Sequence, residues 1–130
     1  MGTAVKRDEI AAMRPLERKQ LLEDVAALVH RGEWRVGDAV RFLRTVVLQK
    51  SRHDFARLVG LSPAALQKLE DRADANPTLD TMNRVLRPFG GAVGLVFPRM
   101  APPPPPTEDS ERRRGALNAA LAGTRRRQRL

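Results

Sequence analysis

The chain has 130 residues and a net charge of +9, with 24 Lys and Arg against 15 Asp and Glu. That length suits one compact domain plus tails, and the cationic excess favours a polyanionic partner, because neutralised phosphates release condensed counterions. The chain has no cysteine, which excludes disulfides, thiolate nucleophiles and cysteine zinc sites and fits a reducing compartment. No apolar run approaches the roughly 20 residues of a membrane span. No signal-peptide core precedes the first helix, so the expectation is a cytoplasmic protein with no membrane partner. Hydrophobic residues make up 42% but aromatics only 4%, so the interior must be built from Leu, Val and Ala.

In chain order, residues 1–13 read as frayed. A first helix begins near Pro15, a residue suited to the first helical position. Leu21, Leu22, Val25, Leu28 and Val29 recur at helical spacing, and Gly32 stops the helix. Residues 32–37 read as a connector, with Trp34 as a core plug. A second helix is predicted from about Asp38 to Leu48. Val36, Val40, Leu43 and Val47 form its apolar stripe, and Arg41 and Arg44 fall on the wetter side.

Ser51 caps a third helix, with Asp54 three residues on. Phe55, Leu58 and Val59 are its inward residues. Gly60 ends it, Leu61 fills the turn, and Ser62 caps a fourth helix with Pro63 at its first position. Ala65, Leu66 and Leu69 are expected to face inward; Ala64, Gln67, Lys68 and Asp71 face outward. Residues 72–77 form a polar loop. Thr78 caps a fifth helix whose apolar set is Leu79, Met82, Val85, Leu86 and Phe89.

Residues 92–97, bounded by Gly90-Gly91 and Pro98, read as a short strand. An isolated strand offers unpaired edges, so Val93, Gly94, Leu95, Val96 and Phe97 are the expected dimerisation element. The five prolines Pro102–Pro106 form a stiff linker of about 16 Å. Beyond it, seven arginines (Arg112–Arg114, Arg125–Arg127 and Arg129) face only Glu108, Asp109 and Glu111. A stripe of Leu117, Ala120 and Leu121 is too short for a stable isolated helix. The tail is therefore expected to be disordered when free, and to fold on an acidic partner surface, lie along DNA phosphates or remain an inert solubilising tail. These boundaries divide the chain into an N-terminal helical extension (1–35), a central domain (36–98), and a Pro-rich linker with basic tail (99–130).

Two short helices joined through Gly60, with Ala56 where they cross, form the strongest functional signal. Gly60 takes a positive φ without a Cβ penalty, and such a pair presents the start of its second helix to the DNA major groove. The other reading of the same pair is an ordinary helical hairpin. The run Ser51-Arg52-His53-Asp54-Phe55-Ala56-Arg57-Leu58-Val59-Gly60-Leu61-Ser62-Pro63-Ala64-Ala65-Leu66-Gln67-Lys68-Leu69-Glu70 resembles the helix-turn-helix of the lambda-repressor-like (XRE) family. With Asn76-Pro77-Thr78-Leu79-Asp80-Thr81-Met82 and the segment after Gly91, it is most similar to HipB-type antitoxins and related autorepressors.

That resemblance covers about residues 36–98. It implies a mainly α, five-helix bundle with one short C-terminal strand. It implies that Ser62, Pro63, Ala64 and Gln67 face base edges and that Arg52 anchors the reading helix where the family usually has Gln. Ala64 can then meet a thymine methyl and Gln67 can pair with adenine. Lys68 is placed for phosphate or guanine, and Arg44, Lys50 and Arg72 for the DNA backbone. Pro63, Ala64 and Ala65 offer no side-chain hydrogen bond, so part of the specificity is left to DNA shape.

His30 and His53, the only histidines, belong to no triad, metal spacing or phosphate loop. No enzymatic activity, cofactor or metal is expected. The sequence thus favours a nucleoid-associated homodimeric repressor of double-stranded DNA, with a cognate toxin protein as the further partner that the resemblance implies. The competing reading is a protein-interaction adaptor with weak or no specific DNA binding.

Overall fold

The computed structural model describes residues 15–95, 97 and 105–128. The chain is mainly helical. Its elements are α1 (Pro15–His30), α2 (Val36–Phe42) continued by a π-helical turn (Leu43–Val47), α3 (Arg52–Val59), α4 (Pro63–Asp71), α5 (Leu79–Leu86) continued by a 3-10 turn (Arg87–Phe89), and α6 (Glu108–Gln128). Each of the five predicted helices is present, and α6 is a sixth, formed where the sequence predicts a tail that is disordered when free.

Local chemistry explains the boundaries. Ser51 Oγ accepts from the Asp54 N–H, Ser62 Oγ from Ala65 and Thr78 Oγ1 from Thr81, each at 3.1 Å. These bonds satisfy amide donors that the first turn of a helix leaves open. Gly60 closes α3 in the left-handed region at φ 75°, and the Leu61 N–H reaches back to the Ala56 carbonyl at 2.9 Å. α2 starts two residues earlier than expected, because Gly37 belongs to the helix rather than to the connector. A Cβ at Gly37 would lie 2.2 Å from the Leu69 carbonyl oxygen, so α2 and α4 cross in backbone contact.

α2 separates two apolar clusters. On one side Val40 packs with Phe55, Ala56, Val59, Leu66, Leu69, Met82 and Val85, which joins α3, α4 and α5. On the other, Phe42, Leu43 and Val46 pack with Leu21, Val25 and Leu28 of α1, Trp34, and Leu117, Ala120 and Leu121 of α6. The central helices and both flanking segments therefore share an interior. Trp34 is the expected core plug: it lies 5.4 Å from Phe42 between ring centroids and donates to Asn118 Oδ1 at 2.7 Å.

Three expectations are corrected. The basic tail is not disordered across 108–128. Its apolar stripe finds a partner surface in the same chain, and Thr107 and Ser110 cap α6 reciprocally, Ser110 N–H to Thr107 Oγ1 at 3.1 Å and Thr107 N–H to Ser110 Oγ at 2.9 Å. The expected C-terminal strand is absent among the described residues: 91–95 and Phe97 are irregular. A ladder needs a second strand, none is described, and the Val93 N–H is instead given to Asn83 Oδ1 at 2.9 Å. Val96 lies outside the described residues, as do residues 1–13 and Pro102–Pro104. Lastly, Leu58, Leu79 and Ala65 are exposed, while Arg41 and Arg44, expected on the wetter side, are buried.

Candidate nucleic-acid interface

α3 and α4 form a pair clamped from behind. Phe55, Ala56 and Leu66 are fully buried where the two helices meet. Arg84 of α5 donates to the Gly60 carbonyl at 3.2 Å, which ties the turn to the following helix. This leaves the start and outer face of α4 open to solvent. Ser62, Pro63, Ala64, Gln67 and Lys68 are all exposed there, and the structure brings them together on one surface. Arg72, at the end of α4, is exposed and lies 3.3 Å from Asp74. A hollow of about 430 Å³ between α4 and the α5 start is lined by Lys68, Arg72, Asn76 and Thr78 among others.

The remaining predicted contacts divide. Lys50 is exposed in the α2–α3 linker. Arg52 is partly exposed and held by two carboxylates, Glu70 Oε1 at 3.3 Å and Asp71 Oδ1 at 2.6 Å. Arg44 is not placed to meet a phosphate. It is 4% exposed and spends its donors inside the protein, Nε to Glu70 Oε2 at 2.7 Å, Nη2 to Glu70 Oε1 at 2.8 Å and Nη1 to the Lys50 carbonyl at 3.0 Å. The reason is Glu70: a carboxylate buried at the base of α4 requires a buried cation, and the planar fork of Arg fits it bidentately.

The sequence reading missed this ionic layer. Its signal was present, because Glu70 follows Leu66 by four residues and so falls on the inward stripe of α4, where an unpaired charge would be untenable. The layer extends through Arg41, which donates to Asp38 Oδ1 at 2.9 Å and to the Glu70 carbonyl at 3.3 Å and lies 3.7 Å from Asp71. Arg125 of α6 reaches Asp38 at 3.2 Å. Burial acts to raise the Asp38 pKa, but the Arg35 backbone N–H at 3.0 Å and the surrounding guanidiniums outweigh it and hold the carboxyl below its ordinary value. Burial lowers the Arg41 pKa, against the pull of Asp38.

Among the described residues no group of His, Asp and Glu could hold a metal ion, and no helix is long and apolar enough to cross a membrane. His53 lies 3.2 Å from Arg57 on the exposed face of α3. Neither a protein-family model, nor a curated protein, nor a solved structure matches the chain.

Proposed function

We propose that the chain is a sequence-specific, double-stranded-DNA-binding repressor that reads its operator with the start of α4. One observation carries the reading: Ser62, Pro63, Ala64, Gln67 and Lys68 lie together on the open end and face of a short helix whose opposite face is fixed in the core. A rigid helix end with amide, hydroxyl and ammonium groups directed outward suits base-edge and phosphate recognition in a major groove. The likeness of residues 51–82 to the lambda-repressor-like family supports the same assignment. The mechanism is occlusion of a promoter rather than catalysis, and no cofactor or metal takes part.

Operator binding is proposed for a homodimer, which matches the two-fold symmetry of a palindromic site. Support comes from Leu95 and Phe97, 92% and 70% exposed, beside an apolar groove of about 670 Å³ bordered by Leu22, Val29, Leu86, Phe89 and Val93. That groove also favours a second reading, an adaptor that holds a protein partner such as a toxin. Selection of tight-binding duplexes from a random pool, followed by titration against random duplex over a salt series, separates the two. A repressor enriches one sequence and keeps a preference for it at every salt concentration; an adaptor enriches none.

A further inference from the structure

Three guanidiniums converge on one carboxylate, that of Asp38 in α2. Asp38 Oδ1 receives Arg41 Nη2 at 2.9 Å and Arg125 Nη2 at 3.2 Å, while Arg35 Nε lies 3.6 Å from Oδ2. Arg41 also lies 3.7 Å from Asp71, which it shares with Arg52, while Arg44 and Arg52 face Glu70. Across this layer five guanidiniums, of Arg35, Arg41, Arg44, Arg52 and Arg125, meet the three carboxylates of Asp38, Glu70 and Asp71, and Arg35 and Arg125 have only Asp38 among these partners. The Arg41 side chain is only 4% exposed and its Nε has no hydrogen-bond partner. Arg35 and Arg125 flank it at the surface, with side chains 45% and 53% exposed. Asp38 itself is buried at 7%, so an arriving anion meets guanidinium edges before it meets the carboxylate.

We propose that Arg35, Arg41 and Arg125 form a phosphate-binding site centred beside Asp38, completed by the docking of α6. Guanidinium suits this ligand: it is planar, always charged and paired by geometry to oxyanions. The site draws on two distant parts of the chain, since Arg35 and Arg41 come from α2 and its cap, and Arg125 arrives from 84 residues beyond Arg41. α6 is anchored for this by Leu117 and Leu121 in the core and by ion pairs from Arg113 to Asp24 at 2.8 Å and from Arg114 to Glu33 at 2.7 Å. The phosphate is that of a DNA backbone flanking the α4 contact, or a free phosphate ligand. The DNA source rests on the repressor reading; the site itself does not.

The experiment uses the full chain and the variants Arg35→Gln, Arg125→Gln and Arg112→Gln, the last an exposed α6 arginine that lies 3.9 Å from Asp109. Circular dichroism and Trp34 emission check that α6 stays docked, and Arg35→Gln keeps the test valid should Arg125→Gln loosen the helix. Binding to random duplex is titrated by anisotropy across salt. The slope of log affinity against log salt is expected to fall by about 0.9 in Arg35→Gln and in Arg125→Gln, one phosphate each, and to hold in Arg112→Gln. Unchanged slopes, together with a rise in wild-type melting temperature on adding inorganic phosphate at matched ionic strength that both variants lose, assign the site to a free phosphate ligand. Loss confined to these two variants in a chain that enriches no sequence leaves the site standing and removes the repressor. Equal slope changes in Arg112→Gln, or no change in either assay, overturn the site.

Discussion

Arg44 and Glu70 form a two-pronged ion pair inside the protein, 2.7 Å and 2.8 Å long, with the Glu70 side chain fully buried. The pair fixes the base of α4 to the turn that ends α2. Removing one partner of a buried pair costs about 3–5 kcal/mol. In Arg44→Ala the Arg52 guanidinium still lies 3.3 Å from Glu70 Oε1, so the loss in urea denaturation is expected at the lower end of that scale, about 3 kcal/mol. The exposed Lys50→Ala should stay within about 0.5 kcal/mol of wild type. Equal losses in the two variants would contradict the placement of Arg44.

On the proposed repressor reading, the outer face of α4 separates base contact from anchoring. Gln67 presents an amide able to bond a base edge in two places, whereas Lys68 presents a single flexible charge. Gln67→Ala should reduce the preference for a selected operator over random duplex by about 1–3 kcal/mol. Lys68→Ala should weaken both complexes and flatten the salt dependence by about one phosphate. Preference unchanged in Gln67→Ala argues against α4 as the reading element.

The helices were legible because their punctuation is local. Ser51, Gly60, Ser62, Pro63 and Thr78 act within four residues of where they stand, and each acts in the structure as its position in the sequence suggests. The ionic layer was legible only in part: Glu70 on the inward stripe of α4 calls for a buried counter-charge, but its partner Arg44 lies 26 residues away and alone reads as a solvated charge. α6 was illegible for the same reason on a longer scale. Its stripe is too short to stand alone, and the surface that completes it, including Trp34 opposite Asn118, lies 84 residues away. The strand failed differently: residues 92–97 satisfy the local pattern, but pairing requires a partner that the pattern cannot supply. Among the predicted contacts, the exposed α4 residues follow from helical periodicity, and Arg44 fails because periodicity says nothing of an internal counter-charge.

Asp38 makes stability depend on acid. Its carboxyl sits below the ordinary value of 3.8 in the folded chain, held there against burial by the Arg35 backbone N–H, Arg35, Arg125 and Arg41. The unfolded chain thus binds the proton more readily, and stability from this group is present above the unfolded pKa and lost as pH falls through the folded one. Asp38→Asn should be less stable than wild type at neutral pH, with the gap narrowing below about pH 4. Urea midpoints measured from neutral pH down to acid give the comparison; a constant gap would show that proton binding at Asp38 is not linked to folding.

Leu95 and Phe97 remain largely bare in the single chain. Burying a Leu of this kind across a two-fold interface contributes about 1.5–3 kcal/mol per copy, and a charge there opposes it. For the proposed dimer, Leu95→Asp is expected to sediment as a monomer and to bind a selected operator more weakly, while its melting temperature in dilute solution changes little. Dimers that persist in the variant would move the interface elsewhere, with the α1–α5 groove the next surface to test.

α6 should contribute to the stability of the whole domain rather than hang from it. Leu117 is 1% exposed and packs in the cluster that holds Trp34 and Phe42. Truncation of such a side chain removes transfer energy and leaves a cavity, which costs about 2–5 kcal/mol for Leu→Ala. Were α6 detached in solution, Leu117→Ala would cost nothing measurable and Trp34 would report no change. The docked helix predicts instead a lower urea midpoint followed by Trp34 fluorescence. It also predicts a red-shifted emission when residues 105–130 are deleted, because the indole would lose Asn118 and gain water. Arg112→Ala, on the exposed side of the same helix, should leave both readings in place. Wild-type midpoint and emission in Leu117→Ala would show that the helix does not cover the α1–α2 face.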